Sequence, residues 1–181
     1  VVAGLIFWAL IALVASAFPV VMPRLSVVSV SIAPIVAAMV LGGPVAAGWI
    51  AAVGTTELRE LRGRVPWYGT LVNHSVLVLP ALVGGFALLA IVGDSTDVIL
   101  RFVATMVGAT IFHVGNVLLA GLGVALRERE DVRTVVTVDT RSYLPNLFAL
   151  APLAWLMAQI YAYVGPTATL LFALPLYTTR L

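Results

Sequence analysis

The chain is a series of long apolar runs separated by short polar breaks, with neither the alternation of a half-buried strand nor the polar stripe of a soluble amphipathic helix. Ala3 to Val21 is uninterrupted and closed by Pro23 and Arg24. A membrane-spanning helix takes about 20 residues, so this run predicts one crossing. Between Ser26 and Ile32, Ser alternates with Val and Ile, which no lipid-facing helix requires. Pro34 then suits the first turn of a helix running to about Thr56. Gly42-Gly43-Pro44 interrupts that helix, and either kinks one span or turns between two short ones. Thr70 to Val92 is the next span, ended by Gly93-Asp94-Ser95. Ile99 to Leu126 follows, long enough to tilt or protrude. Leu144 to Val164 and the shorter Pro166 to Tyr177, split at Gly165-Pro166, complete the set.

The expected fold is therefore an all-α integral membrane protein. It is a polytopic bundle of six transmembrane helices, or seven if the Gly-Gly-Pro break divides the second block. Residues 1–181 read as a single transmembrane domain. The start at Val1 without Met suggests a fragment of a longer chain, with a cytoplasmic domain following.

Composition sharpens this picture. Residues are 62% hydrophobic and only 10% charged, against about 25% charged in a soluble domain. That leaves no room for a soluble catalytic domain. With no Cys, disulfides, thiolate metal sites and cysteine nucleophiles are excluded. All ten basic residues are Arg, and the Ala/Val/Gly/Leu bias points to a GC-rich bacterial genome and hence the bacterial inner membrane.

The positions of the arginines predict orientation. Arg59, Arg62, Arg64, Arg127, Arg129, Arg133, Arg141 and Arg180 fall on one side of a six-span chain, with only Arg24 and Arg101 on the other. In the seven-span reading Arg24 changes sides. Either way the positive-inside rule makes 57–69, 127–142 and the C-terminus cytoplasmic. Arg59, Arg62, Arg64, Arg127, Arg129 and Arg141 then form a candidate coupling surface. Glu57 to Arg62 reads as a solvated anchor at a span end, and Trp67 and Tyr68 as interfacial residues.

Polar groups inside spans cost free energy and are candidates for function or for joining helices. Asn73 and His74 lie about one turn into their span, while His113 and Asn116 share one face of another. One reading is a small pocket or a metal or haem site, since imidazole is a common ligand. The other is a set of interhelical hydrogen bonds that fixes packing. Without an intramembrane carboxylate, no metal and no catalytic residue is assigned. Phosphate-binding loop, His-Glu-x-x-His and Gly-x-Ser-x-Gly motifs are absent. No cofactor and no nucleic acid is expected.

Two resemblances bear on function. Ser29 to Gly48, Arg64-Val-Pro-Trp-Tyr68 leading to Leu71-Val-Asn-His74, Tyr143 to Leu153, and Gly165-Pro166 to Arg180 resemble the N-terminal membrane region of bacterial HD-GYP cyclic-di-GMP phosphodiesterases and related signalling proteins. That resemblance implies a sensory or anchoring domain, itself without catalysis. It would regulate a cytoplasmic phosphodiesterase module as a homodimer in the bilayer, in response to a small molecule of unknown identity. Ser31 to Thr56 is also similar to the substrate-binding membrane subunits of energy-coupling-factor vitamin transporters. Those dock on a coupling subunit through Ala-x-x-x-Ala, a spacing carried here by Ala33 and Ala37 in the second block.

Overall fold

The computed structural model describes residues 2–17, 20–21, 27–28 and 31–169, without the side chains of 20–21, 27–28, 138–146 and 168–169. The described chain is overwhelmingly helical. α1 is Val2–Ala17, and β1 (Val20–Val21) pairs antiparallel with β2 (Val27–Val28). α2 (Ile32–Gly54), α3 (Leu58–Leu61), α4 (Trp67–Val92), α5 (Val98–Glu128), α6 (Val132–Val164) and α7 (Pro166–Thr169) follow.

Among the described residues four stretches are long and apolar enough to cross a membrane: Ile32–Gly54, Trp67–Val92, Val98–Glu128 and Leu147–Val164. α1, at 16 residues, reaches about 24 Å at ~1.5 Å per residue. This count falls below the expected six or seven, in part because most of the expected helix over Pro166–Tyr177 lies outside the described residues. A second departure concerns 127–142, expected as a loop. Here α5 continues to Glu128 and α6 begins at Val132, leaving a connection of three residues. The reason is capping. Arg129 adopts the left-handed conformation that ends a helix (φ 59°, ψ 37°), and the Asp131 carboxylate accepts from the Thr134 N–H at 3.0 Å to start the next. Asp97 starts α5 likewise, accepting from Leu100 N–H at 2.6 Å.

α2 is the centre of the bundle, contacting α1, α4, α5 and α6. Every residue from Ser31 to Met39 is buried, so its first part is surrounded on all sides. Gly43 then leaves helical geometry (φ 73°, ψ −167°), with Pro44 beginning the second part. Only glycine enters that region without strain. Beyond it, Val45, Trp49 and Val53 form an exposed stripe at every fourth position.

The exterior is as apolar as the interior. Ile6, Leu10 and Val14 on α1, Leu79, Val83 and Phe86 on α4, and Val103, Val114 and Leu118 on α5 are all exposed. Water would penalise such a surface at about 25 cal/mol per Å², whereas hydrocarbon does not. Inside, close approach replaces the hydrophobic drive that lipid removes. A Cβ at Gly84 would collide with the Gly108 carbonyl, and one at Gly108 would come within 2.9 Å of the Gly84 oxygen. α4 and α5 therefore touch backbone to backbone there.

Candidate functional site

The polar residues picked out from the sequence fall into two groups along the α4–α5 seam. At the end carrying Arg59, Arg62 and Arg64, Asn73 and His74 both turn to Glu60. Asn73 Nδ2 donates to Oε1 at 3.2 Å, and His74 Nε2 lies 3.0 Å from Oε2. A carboxylate only accepts, so the imidazole is the donor. The Glu57 backbone N–H adds a third bond, at 3.3 Å. The Glu60 side chain is only 5% exposed. Burial alone would raise its pKa, but hydrogen bonds from His74, Asn73 and Glu57 outweigh burial and hold the carboxyl below its ordinary value.

Glu60 is the residue that sequence reasoning missed, because an acid next to Arg59 at a span end reads as solvated. The neighbouring Glu57 does behave that way, exposed and bonded to Arg59 Nη2 at 2.6 Å. The available signal was Asn73-His74: two donors in the first turns of an apolar helix need an acceptor, and α3 is the nearest polar element.

A pH dependence follows. A depressed pKa stabilises the fold above the ordinary value of 4.5, and that contribution is lost as pH falls through the folded value. Glu57, Arg59, Asn73 and His74 are the polar groups facing it. We expect Glu60→Gln to melt below wild type at neutral pH, by an amount that shrinks as pH falls below the ordinary value of 4.5 and the Glu60 carboxyl of the wild type takes up its proton. A difference that widens below that pH would reverse the sign and refute the assignment.

The second group lies one turn deeper. Asn116 Nδ2 donates to the backbone oxygen of Val76 at 2.8 Å. The reason is written in the sequence four residues on. In a helix the Val76 carbonyl would accept from residue 80, and Pro80 has no N–H. Asn116 supplies from α5 the donor that Pro80 removes from α4. Gly115 beside it makes room for the ring, since a Cβ there would stand 2.9 Å from Pro80 Cβ. His113, one turn earlier on the same face, is 4% exposed. The helices bearing these four residues are thus neighbours, with Asn73 and His74 meeting at Glu60 and Asn116 at Val76.

Of the candidate coupling surface, Arg59, Arg62, Arg64, Arg127 and Arg129 are exposed. α4 and α5 are antiparallel neighbours, so the α3 loop and the α5–α6 connection share one end of the bundle. Arg127 Nε pairs with Glu128 at 3.2 Å. The Arg141 side chain lies outside the described residues. Among the described residues no group of three or more His, Cys, Asp and Glu is placed to hold a metal ion.

At the opposite end a cavity of about 360 Å³ opens between the break in α2, the end of α4 and the start of α5. Met39 to Pro44 form one wall, Leu88, Leu89, Val92 and Gly93 another, and Arg101 and Thr105 the third. The volume lies in the lower part of the range for small-molecule pockets, about 300–1,000 Å³. No sequence pattern announces this cavity, because three separate segments enclose it.

No family model, curated protein or solved structure matches this chain. The arrangement itself combines a small-molecule-sized cavity at one end with a half-buried polar lock at the other, joined by two closely packed helices.

Proposed function

We propose that this is a membrane-embedded sensory domain of a bacterial signalling protein. It would bind a small molecule in the cavity and act on a cytoplasmic module of the HD-GYP cyclic-di-GMP phosphodiesterase kind. The observation that carries this reading is the cavity. It is bounded by α4 and α5, the same helices that run to the Glu60 lock and the exposed arginines. A ligand that favours one packing of α4 on α5 shifts that end by no more than its differential affinity for the two packings.

The topology of the proposal has α2 entering and leaving on the same side. Met39 Cε is 3.3 Å from a Cβ position on Gly84, and Leu82 lies 2.9 Å from one on Gly48. A straight helix would separate Met39 and Gly48 by about 13 Å, yet their α4 neighbours are two residues apart. Arms folded back at Gly42-Gly43 account for both contacts. The Ser16 hydroxyl, donating to the Gly54 carbonyl at 3.0 Å, sets the end of α1 beside the end of α2. Arg101 then lies outside, at the opposite end from Arg59, Arg62, Arg64, Arg127 and Arg129, in agreement with the positive-inside rule.

A substrate-binding transporter subunit remains the second reading, since the same cavity would serve it. Ala33 and Ala37, which carry the docking spacing, are 2% and 0% exposed, and buried residues cannot meet a coupling subunit. Purification of the tagged protein from its own membranes distinguishes the two. A homodimer whose polypeptide contains a cytoplasmic phosphodiesterase module is expected, and copurifying coupling and ATPase subunits would overturn the sensory reading. Reporters fused after Arg62 or Arg129 should read cytoplasmic and one at Asp94 external. An external signal at Arg129 would invert the topology.

A further inference from the structure

The geometry points to a small amphipathic anion as the occupant of the cavity, its oxyanion head held by Arg101 and its apolar body against Met39, Leu88, Leu89 and Val92. The inference rests on the cavity's being a binding site, as the sensory reading requires. Three observations give the chemistry. First, among the described residues Arg101 is the one cation in the lining, and its guanidinium forms no salt bridge with them. Its nearest acid in sequence, Asp97, uses a carboxylate oxygen on the Leu100 N–H instead. A guanidinium presents a rigid fork of donors that matches carboxylate and phosphate oxygens.

Second, no carboxylate among the described residues lines the cavity, so the charge they bring to it is positive. A cationic ligand would be repelled, and a neutral one would forgo the charge-assisted bonds that the exposed Arg101 offers at the cavity's edge. Third, the remaining side chains facing the cavity are mostly aliphatic, and the Thr105 hydroxyl is already turned to the Arg101 carbonyl at 2.7 Å. The break in α2 keeps the cavity open. A Cβ at Gly43 would meet nothing within 4 Å, so space continues to the backbone itself. The residues around the break, Leu41 to Pro44, form part of the wall.

Hexanoate is a suitable probe, with a single carboxylate on a short alkyl chain, and 1-hexanol is its neutral counterpart. The full chain in phosphatidylcholine nanodiscs is titrated with radiolabelled hexanoate. Saturable binding is expected, with no competition by 1-hexanol. Arg101→Gln should weaken binding at least tenfold, and Arg101→Lys should restore part of it. Leu89→Trp, which narrows the cavity without changing charge, should weaken it too. In nanodiscs containing phosphatidylglycerol, loss of hexanoate binding would identify a lipid headgroup as the natural source of the anion, and unchanged binding a soluble one. Absence of saturable binding, or full binding by Arg101→Gln, would overturn the inference. The sensory reading stands or falls separately, on the composition of the purified protein.

Discussion

Gly84→Ala is expected to lower the melting temperature in detergent by about 6 °C, taking ~2 kcal/mol for overpacking at ~3 °C per kcal/mol in a chain of this size. Gly123→Ala, on the partner helix, should leave it unchanged or raise it. Both changes add one methyl group and improve helix propensity by up to about 1 kcal/mol. They differ in what the methyl meets. At Gly84 it collides with the Gly108 carbonyl, which cannot move without shifting α5, and lies 3.3 Å from Met39 Cε. At Gly123 its nearest neighbour is Val72 Cγ1 at 4.0 Å. A larger residue at Gly84 would pry the two helices apart and disturb the cavity through Met39. Equal stability of the two variants would show that α4 and α5 do not approach as described.

Much of the architecture is legible in the sequence because hydrocarbon imposes a simple rule. Apolar runs long enough to cross must be helical, as every backbone polar group has to be satisfied within the segment. The turn at Gly93 and the end at Gly165 are equally readable, since both glycines adopt positive φ, 51° and 91°. The charged stretch after Arg127 is misleading. Charge density suggests a loop, but an Asp cap needs only three residues to start the next helix. The candidate site is legible one residue at a time. Asn73, His74 and Asn116 stand out as polar groups in apolar helices. Their partners do not, because one is a carboxylate on α3 and the other a backbone oxygen. Pro80 carries that second signal: a proline inside a span orphans the carbonyl four residues before it, and a polar side chain on a neighbouring helix is a natural remedy.

That argument gives a second large effect, and one with an internal check. Asn116→Leu should destabilise the protein by about 1–2 kcal/mol. The value lies above the ~0.6 kcal/mol average of interhelical hydrogen bonds in membranes, because the deserted acceptor is a backbone carbonyl with no alternative donor in its own helix. In a Pro80→Ala background the same substitution should cost much less. The introduced alanine brings back the N–H that Val76 needs, so Asn116 becomes redundant. The double-mutant cycle therefore predicts a coupling of about 1 kcal/mol between residues 80 and 116, read from melting in one detergent at one pH. Additive effects would mean that Asn116 and Pro80 act independently. The bond from Asn116 to Val76 would then be incidental, and Asn116 would be free for a role in binding. Coupling of the expected size assigns Asn116 to holding α4 on α5. Among the polar residues picked out from the sequence, that leaves His113 and the two partners of Glu60, Asn73 and His74, to be tested for signalling.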